Sequence, residues 1–171
     1  MLFSDEILRI QKMRDINFEE LMRVYVEGNT ENGQYFYPYE SEAGQLRLAE
    51  QDFYDYLQND FFCVNDAQYW ILVDNGCYVS ALRTEPFQDG YLLQALETVP
   101  SMRRRGYATR LLRYVVTEIQ KMTGLPVYSH VSKRNVPSIT VHERCGFMKS
   151  QEYAVYLDGT VSSTAFTFVF R

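Results

Sequence analysis

The sequence predicts an α/β (α+β) chain in which about seven strands form a mixed sheet with helices packed on it. Three observations lead there. From Gln68 onward the apolar pattern shortens to a strand period, and Tyr69-Trp-Ile-Leu-Val73 is a compact apolar run. Asp74-Asn75-Gly76 follows it. Asn-Gly readily takes the positive φ of a two-residue hairpin, which makes Cys77-Tyr-Val-Ser-Ala-Leu82 the return strand. Further on, an apolar strand, Tyr91-Leu-Leu-Gln-Ala-Leu, feeds through a short basic loop into a periodic helix, and a second strand and helix follow.

The elements can be read in order. At 171 residues the chain suits one domain, 1–171, with a substantial core. Ile7-Leu-Arg-Ile-Gln-Lys-Met13 alternates imperfectly and suits a first strand. Asp15 or Asn17 can cap a helix that carries Phe18, Leu21, Met22 and Tyr25. Gly28-Asn-Thr-Glu-Asn-Gly33 reads as a turn cluster that ends it. Gln34-Tyr-Phe-Tyr-Pro-Tyr39 is either a loop packed by its own rings or the lining of an acceptor pocket. Ser41 starts a second helical stretch through Leu46, Leu48, Phe53, Tyr56 and Leu57.

After the hairpin, Glu85-Pro-Phe-Gln-Asp-Gly90 connects to the strand that ends at Val99. Pro100 stops that strand because it has no N–H for the ladder. In the helix that follows, Ala108, Leu111, Leu112, Val115, Ile119 and Met122 fall on one stripe, and Gly124 and Pro126 end it. Val127-Tyr-Ser-His-Val131 is the next strand. Asn135 and Pro137 open the next helix, and Gly146 closes it. Phe147 to Leu157 and Thr164 to Phe170 read as the last two strands, joined at Asp158-Gly159.

Composition excludes some functions. A net charge of −5 argues against general nucleic-acid binding, which wants a basic face. It is compatible with a cationic partner. The chain is rich in aromatics, with 14 Tyr and 11 Phe, a composition that suits packing and apolar pockets. The three cysteines, Cys63, Cys77 and Cys145, form no CxxC pair, so reduced thiols and a cytoplasmic setting are expected. Met1-Leu-Phe-Ser-Asp-Glu6 lacks a basic segment before an apolar one, which predicts no signal peptide. No apolar run is long enough to span a bilayer.

The stretch from Glu97 to Ala108 organises the chain. A strand, a basic loop with one glycine and a helix N-terminus together make an anion site. The first helical N–H groups have no intrahelical partner, and the helix dipole adds partial positive charge. Gly106 admits close approach to the backbone, and Arg103, Arg104 and Arg105 offer charge-assisted donors suited to phosphate. The same tripeptide also fits a solvated basic turn before an ordinary helix.

Val99-Pro100-x-x-Arg103-Arg104-x-Gly106-x-Ala108 resembles the acetyl-CoA-binding motif of the GCN5-related N-acetyltransferase (GNAT) family. The second half of the signature follows at the right spacing. Asn135-Val-Pro-Ser138-Ile-Thr-Val-His142-Glu-Arg-Cys-Gly146-Phe147 is similar to that family's closing helix, with histidine where tyrosine is usual. The resemblance covers residues 70 to 171 well, and the family varies over the first half.

It implies a mostly antiparallel central sheet, with residues of about 1–66 on the acceptor side and about 67–171 forming the acetyl-CoA-binding core. It also implies acetyl-CoA as cosubstrate, no metal, and transfer of the acetyl group to a primary amine of a small molecule or peptide. An acyl-CoA-binding or sensing domain without catalysis is the alternative. A homodimer stays open, and neither nucleic acid nor membrane is expected as partner.

The resemblance further implies which residues meet the cofactor. These are Val99 through its backbone to the pantetheine arm, Arg103, Arg104, Arg105, Gly106, Tyr107, Ala108 and Thr109 around the pyrophosphate, and Asn135 and Ser138 on the later helix. The acetyl group would sit in a splay between the strand ending at Val99 and that ending at Val131. Glu97 shares a strand face with Val99 and so lies near the reacting carbonyl. An alkyl ammonium, with a pKa of about 10.4, must lose a proton before it attacks, and a carboxylate can take that proton. A structural ion pair is the other reading of Glu97. His142 stands where a hydrogen-bond donor to the leaving thiolate is expected, and it could also pack against the cofactor. Cys145 has no activating neighbour in the sequence, so transfer is expected to be direct. His130, at the end of its strand, could face the cleft.

Overall fold

The computed structural model describes residues 5–171. The first four residues, on which much of the leader reading rests, lie outside the described residues. The strands are β1 (Glu6–Ile10), β2 (Gln68–Asp74), β3 (Cys77–Phe87), β4 (Gly90–Thr98), β5 (Val127–Ser132), β6 (Met148–Gln151), β7 (Ala154–Val155), β8 (Val161–Ser162) and β9 (Ala165–Phe170). The helices are α1 (Phe18–Val24), α2 (Val26–Phe36), α3 (Glu42–Asn59), α4 (Tyr107–Thr123) and α5 (Val136–Arg144).

Among the described residues, seven strands form one sheet in the order β1-β2-β3-β4-β5-β9-β6. Every neighbouring pair is antiparallel except β4 and β5. The sheet is buried on both faces, which explains the unbroken apolar run at Tyr69–Val73. Trp70 and Leu72 turn to one side and pack with Leu111, Leu112, Val115 and Ile119 of α4. Tyr69 and Ile71 turn to the other and pack with Leu21 and Met22 of α1 and Leu57 of α3. Asn75 and Gly76 have φ of 50° and 78°, so the β2–β3 hairpin has the positive-φ turn that Asn-Gly predicts.

Three expectations are corrected. Gly28–Gly33 does not end a helix: it lies inside α2, so three helices precede β2 rather than two. Gly33 is needed there for contact, since a Cβ at that position would collide with the backbone carbonyl of Gln45 on α3. A glycine that lets two helices close together looks in sequence like one that breaks a helix. Glu85–Phe87 belongs to β3 rather than to the connection, and Pro86 is tolerated because β2 pairs no further than Thr84. The run from Phe147 to Leu157 is divided. Only β6 joins the main sheet, while β7 pairs with β8 in a separate hairpin, and β9 returns between β5 and β6.

Candidate active site

Strands β4 and β5 start side by side and then part. Their parallel pairing covers Tyr91↔Val127, Leu92↔Tyr128 and Leu93↔Ser129 and goes no further. Both strands continue, β4 to Thr98 and β5 to Ser132. A bulge accompanies the parting. Arg83 faces Gln94 and Ala81 faces Glu97, so β4 holds an extra residue, and Ala95 has φ of 54°. The splay expected from the sequence is therefore present. The hydroxyl of Tyr25 donates to the Ala95 carbonyl at 2.7 Å and ties the bulge to the α1–α2 junction.

One end of the splay opens toward the N-terminus of α4. Gly106 is the N-cap, with φ of 82° and no side-chain cap. The first helical bond runs from Arg110 N–H to the Gly106 carbonyl, so the N–H groups just before it face out of the helix end. A Cβ at Gly106 would meet nothing within 4 Å, so the approach to this backbone is open. Arg104 and Arg105 are exposed beside it. Arg103 behaves differently: its guanidinium pairs with Glu27 at 2.8 Å and reaches Glu97 at 3.5 Å. It points toward α2 rather than out beside the α4 N-terminus. Tyr107 is buried and donates its hydroxyl to Asp74, so only its backbone faces the site. Ala108 and Thr109 are half-buried in the first turn. Val99 donates its N–H to Val79 at 2.9 Å and its carbonyl accepts from Met102 at 2.8 Å, so its N–H is not free for a pantetheine arm.

Glu97 faces the α1–α2 side, because it lies opposite Ala81, which packs in the core beneath α1. Its side chain is half-exposed. Burial pushes its carboxyl above the ordinary range, Arg103 pulls it back, and Glu27 and Glu31 push it up again. A carboxyl raised in this way exchanges its proton closer to neutral pH than a fully solvated one.

His142 is corrected. The structure places it in the core, 2% exposed, against Phe147 and Phe168. Nδ1 lies 2.8 Å from the Ser138 carbonyl, which can only accept, so that nitrogen carries the proton. Nε2 then accepts from the Ser129 hydroxyl at 2.8 Å. Burial lowers the ring's pKa against the pull of the Ser138 carbonyl, so the ring is neutral. No ring N–H is left to serve a thiolate.

Asn135 caps α5 by accepting from Ser138 N–H at 3.1 Å, which occupies both residues in the helix start. Cys145 is buried and burial raises its thiol pKa, the opposite of an activated nucleophile. His130 lies between Phe87 and Tyr156 and lines a separate cavity of about 260 Å³ with Tyr128 and Arg171.

Sequence reasoning missed a cleft beside the bulge. A cleft of about 350 Å³ lies between α2, α3 and the bulge, lined by Tyr25, Phe36, Phe53, Tyr56, Arg83 and Ala95 among others. Of the aromatic run, Phe36 lines this cleft and Tyr35 and Tyr39 do not, and all three rings are largely exposed. Arg83 gave no signal, since a charged residue in a strand reads as solvent-facing.

Residues 19–147 match the family model described as "Acetyltransferase (GNAT) family". Among curated proteins, none matches in sequence. Solved structures do match. The PaiA N-acetyltransferase of Thermoplasma acidophilum, in complex with coenzyme A, superposes with a TM-score of 0.67 at 16% identity, covering 97% of this chain and 98% of that one. The ribosomal-protein-S18-alanine N-acetyltransferase of Escherichia coli gives 0.61 at 17% identity, over 97% and 92% of the two chains. The spermidine N-acetyltransferase of Vibrio cholerae, in complex with CoA and spermine, gives 0.59 at 15% identity, over 97% and 94%. At such identities the likeness is one of fold.

Proposed function

Since this chain belongs to the GNAT acetyltransferase family, we propose that it transfers an acetyl group from acetyl-CoA directly to a primary amine. The observation that carries this is the splay between β4 and β5, with the uncapped end of α4 on one side and the raised carboxyl of Glu97 on the other.

In this reading the pyrophosphate sits on the N–H groups of residues 104–109, helped by Arg104 and Arg105. The thioester lies in the splay. Glu97 takes a proton from the acceptor ammonium, directly or through water. The amine lone pair then forms the C–N bond, the C–S bond breaks, CoA leaves as thiolate, and the second proton on the nitrogen passes to water. A thiol of pKa about 8.5 departs near neutral pH without full protonation in the step. Water can protonate it afterwards, so the step does not depend on His142. That residue instead holds Ser129, the last β5 residue paired to β4, in place.

The buried imidazole at the position where the family usually has tyrosine favours a second reading, a domain that binds acyl-CoA without catalysis. One experiment separates the two. Amines, polyamines, amino acids and peptides are offered with acetyl-CoA while thiol release is followed, and CoA binding is measured by calorimetry. Transfer to any of them supports the enzyme. Binding without transfer supports the silent domain, and absence of binding at millimolar CoA removes both.

A further inference from the structure

Arg83 is a guanidinium that the fold leaves without a counter-ion. It projects from β3 on the same face as Ala81, into the layer beneath α1–α3. Its guanidinium lies 5.0 Å from the ring of Tyr56, 5.8 Å from Phe61 and 6.0 Å from Phe53. Its Nε is shut off from solvent with no hydrogen-bond partner, and the buried Tyr69 hydroxyl is likewise unpartnered. Among the described residues no carboxylate stands at ion-pair distance from it. Glu85, the nearest acid on its own strand face, is buried and takes its hydrogen bond from Gln94 at 2.7 Å.

A partly desolvated cation without an anion is costly, and aromatic faces recover only part of the loss. The cleft in front of it, about 350 Å³, has the volume of a small-molecule site. Ala95, the bulge residue, also lines it and stands two positions before Glu97. One end of the cleft is therefore cationic and aromatic. Asp52 also lines the cleft, its carboxylate accepting from the Tyr37 hydroxyl at 2.5 Å, and past Ala95 the strand leads to Glu97, where Glu27 and Glu31 add negative charge.

Building on the acetyltransferase reading, we infer that the acceptor is a zwitterion of the amino-acid class. Its carboxylate pairs with Arg83, its apolar side chain lies on Phe53 and Tyr56, and its amine reaches the Glu97 end. The chemical step is the one given above, so the products are an N-acetylamino acid and free CoA. A polyamine has no carboxylate to pair with Arg83.

The test uses the full chain saturated with CoA. L-phenylalanine, L-leucine and L-methionine, and the carboxamide of each, are titrated into wild type and Arg83→Met, and transfer from acetyl-CoA to the same panel is followed. The acids should bind about tenfold or more tightly than their amides, as a charge-assisted pair requires, and Arg83→Met should bring that ratio toward one. Methionine keeps an apolar stem among the rings. Should that variant fail to fold, Arg83→Lys must retain part of the preference, and the wild-type ratio stands without any variant. Equal binding of acid and amide, no binding of any acid, or a ratio unchanged in Arg83→Met overturns the inference. A protein that acetylates amines without this preference refutes the acceptor class alone. One that acetylates nothing refutes the enzyme reading, while the binding ratio still decides the cleft.

Discussion

Under α4 and α5 the sheet presents Trp70, Leu72, Leu82, Leu93 and Phe168, an almost wholly apolar face. Its polar groups there are matched inward: Trp70 donates to Thr84 at 2.9 Å, and His142 is bonded to Ser129 and Ser138. Under α1–α3 the reverse face carries Arg83, Glu85 and Glu97 among Tyr69, Ile71 and Ala81. The first face is built from apolar burial, and at the α4 end it offers backbone N–H groups with Arg104 and Arg105 exposed beside them. The second spends charged side chains and holds them in place with a bulge. The proposed transfer asks for this difference between its two halves. A pyrophosphate can be held by any backbone in the right conformation, whereas an acceptor must be chosen by its particular groups.

Breaking the charged face should have the largest effect. Glu97→Gln is expected to lower the transfer rate by about 10²–10⁴-fold while CoA affinity stays nearly intact. The acidic limb of the pH–rate profile should lie above the ordinary carboxylate range in wild type, as burial raises this group, and should vanish in the variant. An unaltered rate with the best acceptor would remove Glu97 from the mechanism.

Breaking the backbone cradle comes next. Gly106→Val places a β-branched residue at φ of 82° and sends its methyls into the open approach. The strain costs about 1–3 kcal/mol of stability, and the methyls over the helix N–H groups should weaken CoA binding about tenfold or more in calorimetry. Retained affinity would mean that the pyrophosphate sits elsewhere. A smaller effect, on stability alone, tests the layer that shapes the cleft in front of Arg83. Gly33→Ala overpacks the α2–α3 contact and should cost about 1–3 kcal/mol in denaturant unfolding. A neutral result would show that α2 can move off α3 freely.

The same contrast explains what could be read in advance. Burial on a helix face writes itself as a period, so α4 was legible down to Leu111, Leu112, Val115 and Ile119, and Asn17, Ser41 and Asn135 announced their helices as caps. The splay was expected only through the family resemblance, not from any local pattern. The cleft was not legible, because it depends on three placements that leave no local trace. The bulge at Ala95 changes which side chains share a face, and no residue in Tyr91–Thr98 has the composition of a bulge. Gly33 marks a close approach but spells a turn. Arg83 pairs with no acid, so no charge pattern betrays it. His142 misled for a related reason. Its neighbours in sequence match a cofactor helix, but only the packing of Phe147 and Phe168 shows that its ring is enclosed.

The smallest effect tests that enclosure. His142→Phe keeps an aromatic body but leaves the Ser129 hydroxyl and Ser138 carbonyl without their partner. At pH 8 this should cost about 1–3 kcal/mol of stability, the range for stranded buried polar groups, with little change in transfer rate. The gap should then narrow on acidification. Burial lowers the folded pKa of His142 below its unfolded value of about 6.5, so the unfolded chain takes up the proton first. Stability from this group is thus complete above that pH and declines as pH falls through it, until the folded ring is also protonated. The phenylalanine variant has no such loss. His130, also lowered by burial, and Glu97, raised by it, titrate in both proteins and cancel in the difference. Denaturant unfolding of the two proteins from pH 8 down to pH 5 would show it. A gap that stays constant or widens toward acid would mean that His142 carries a charge in the folded protein. The donor role toward the thiolate would then be open to it again.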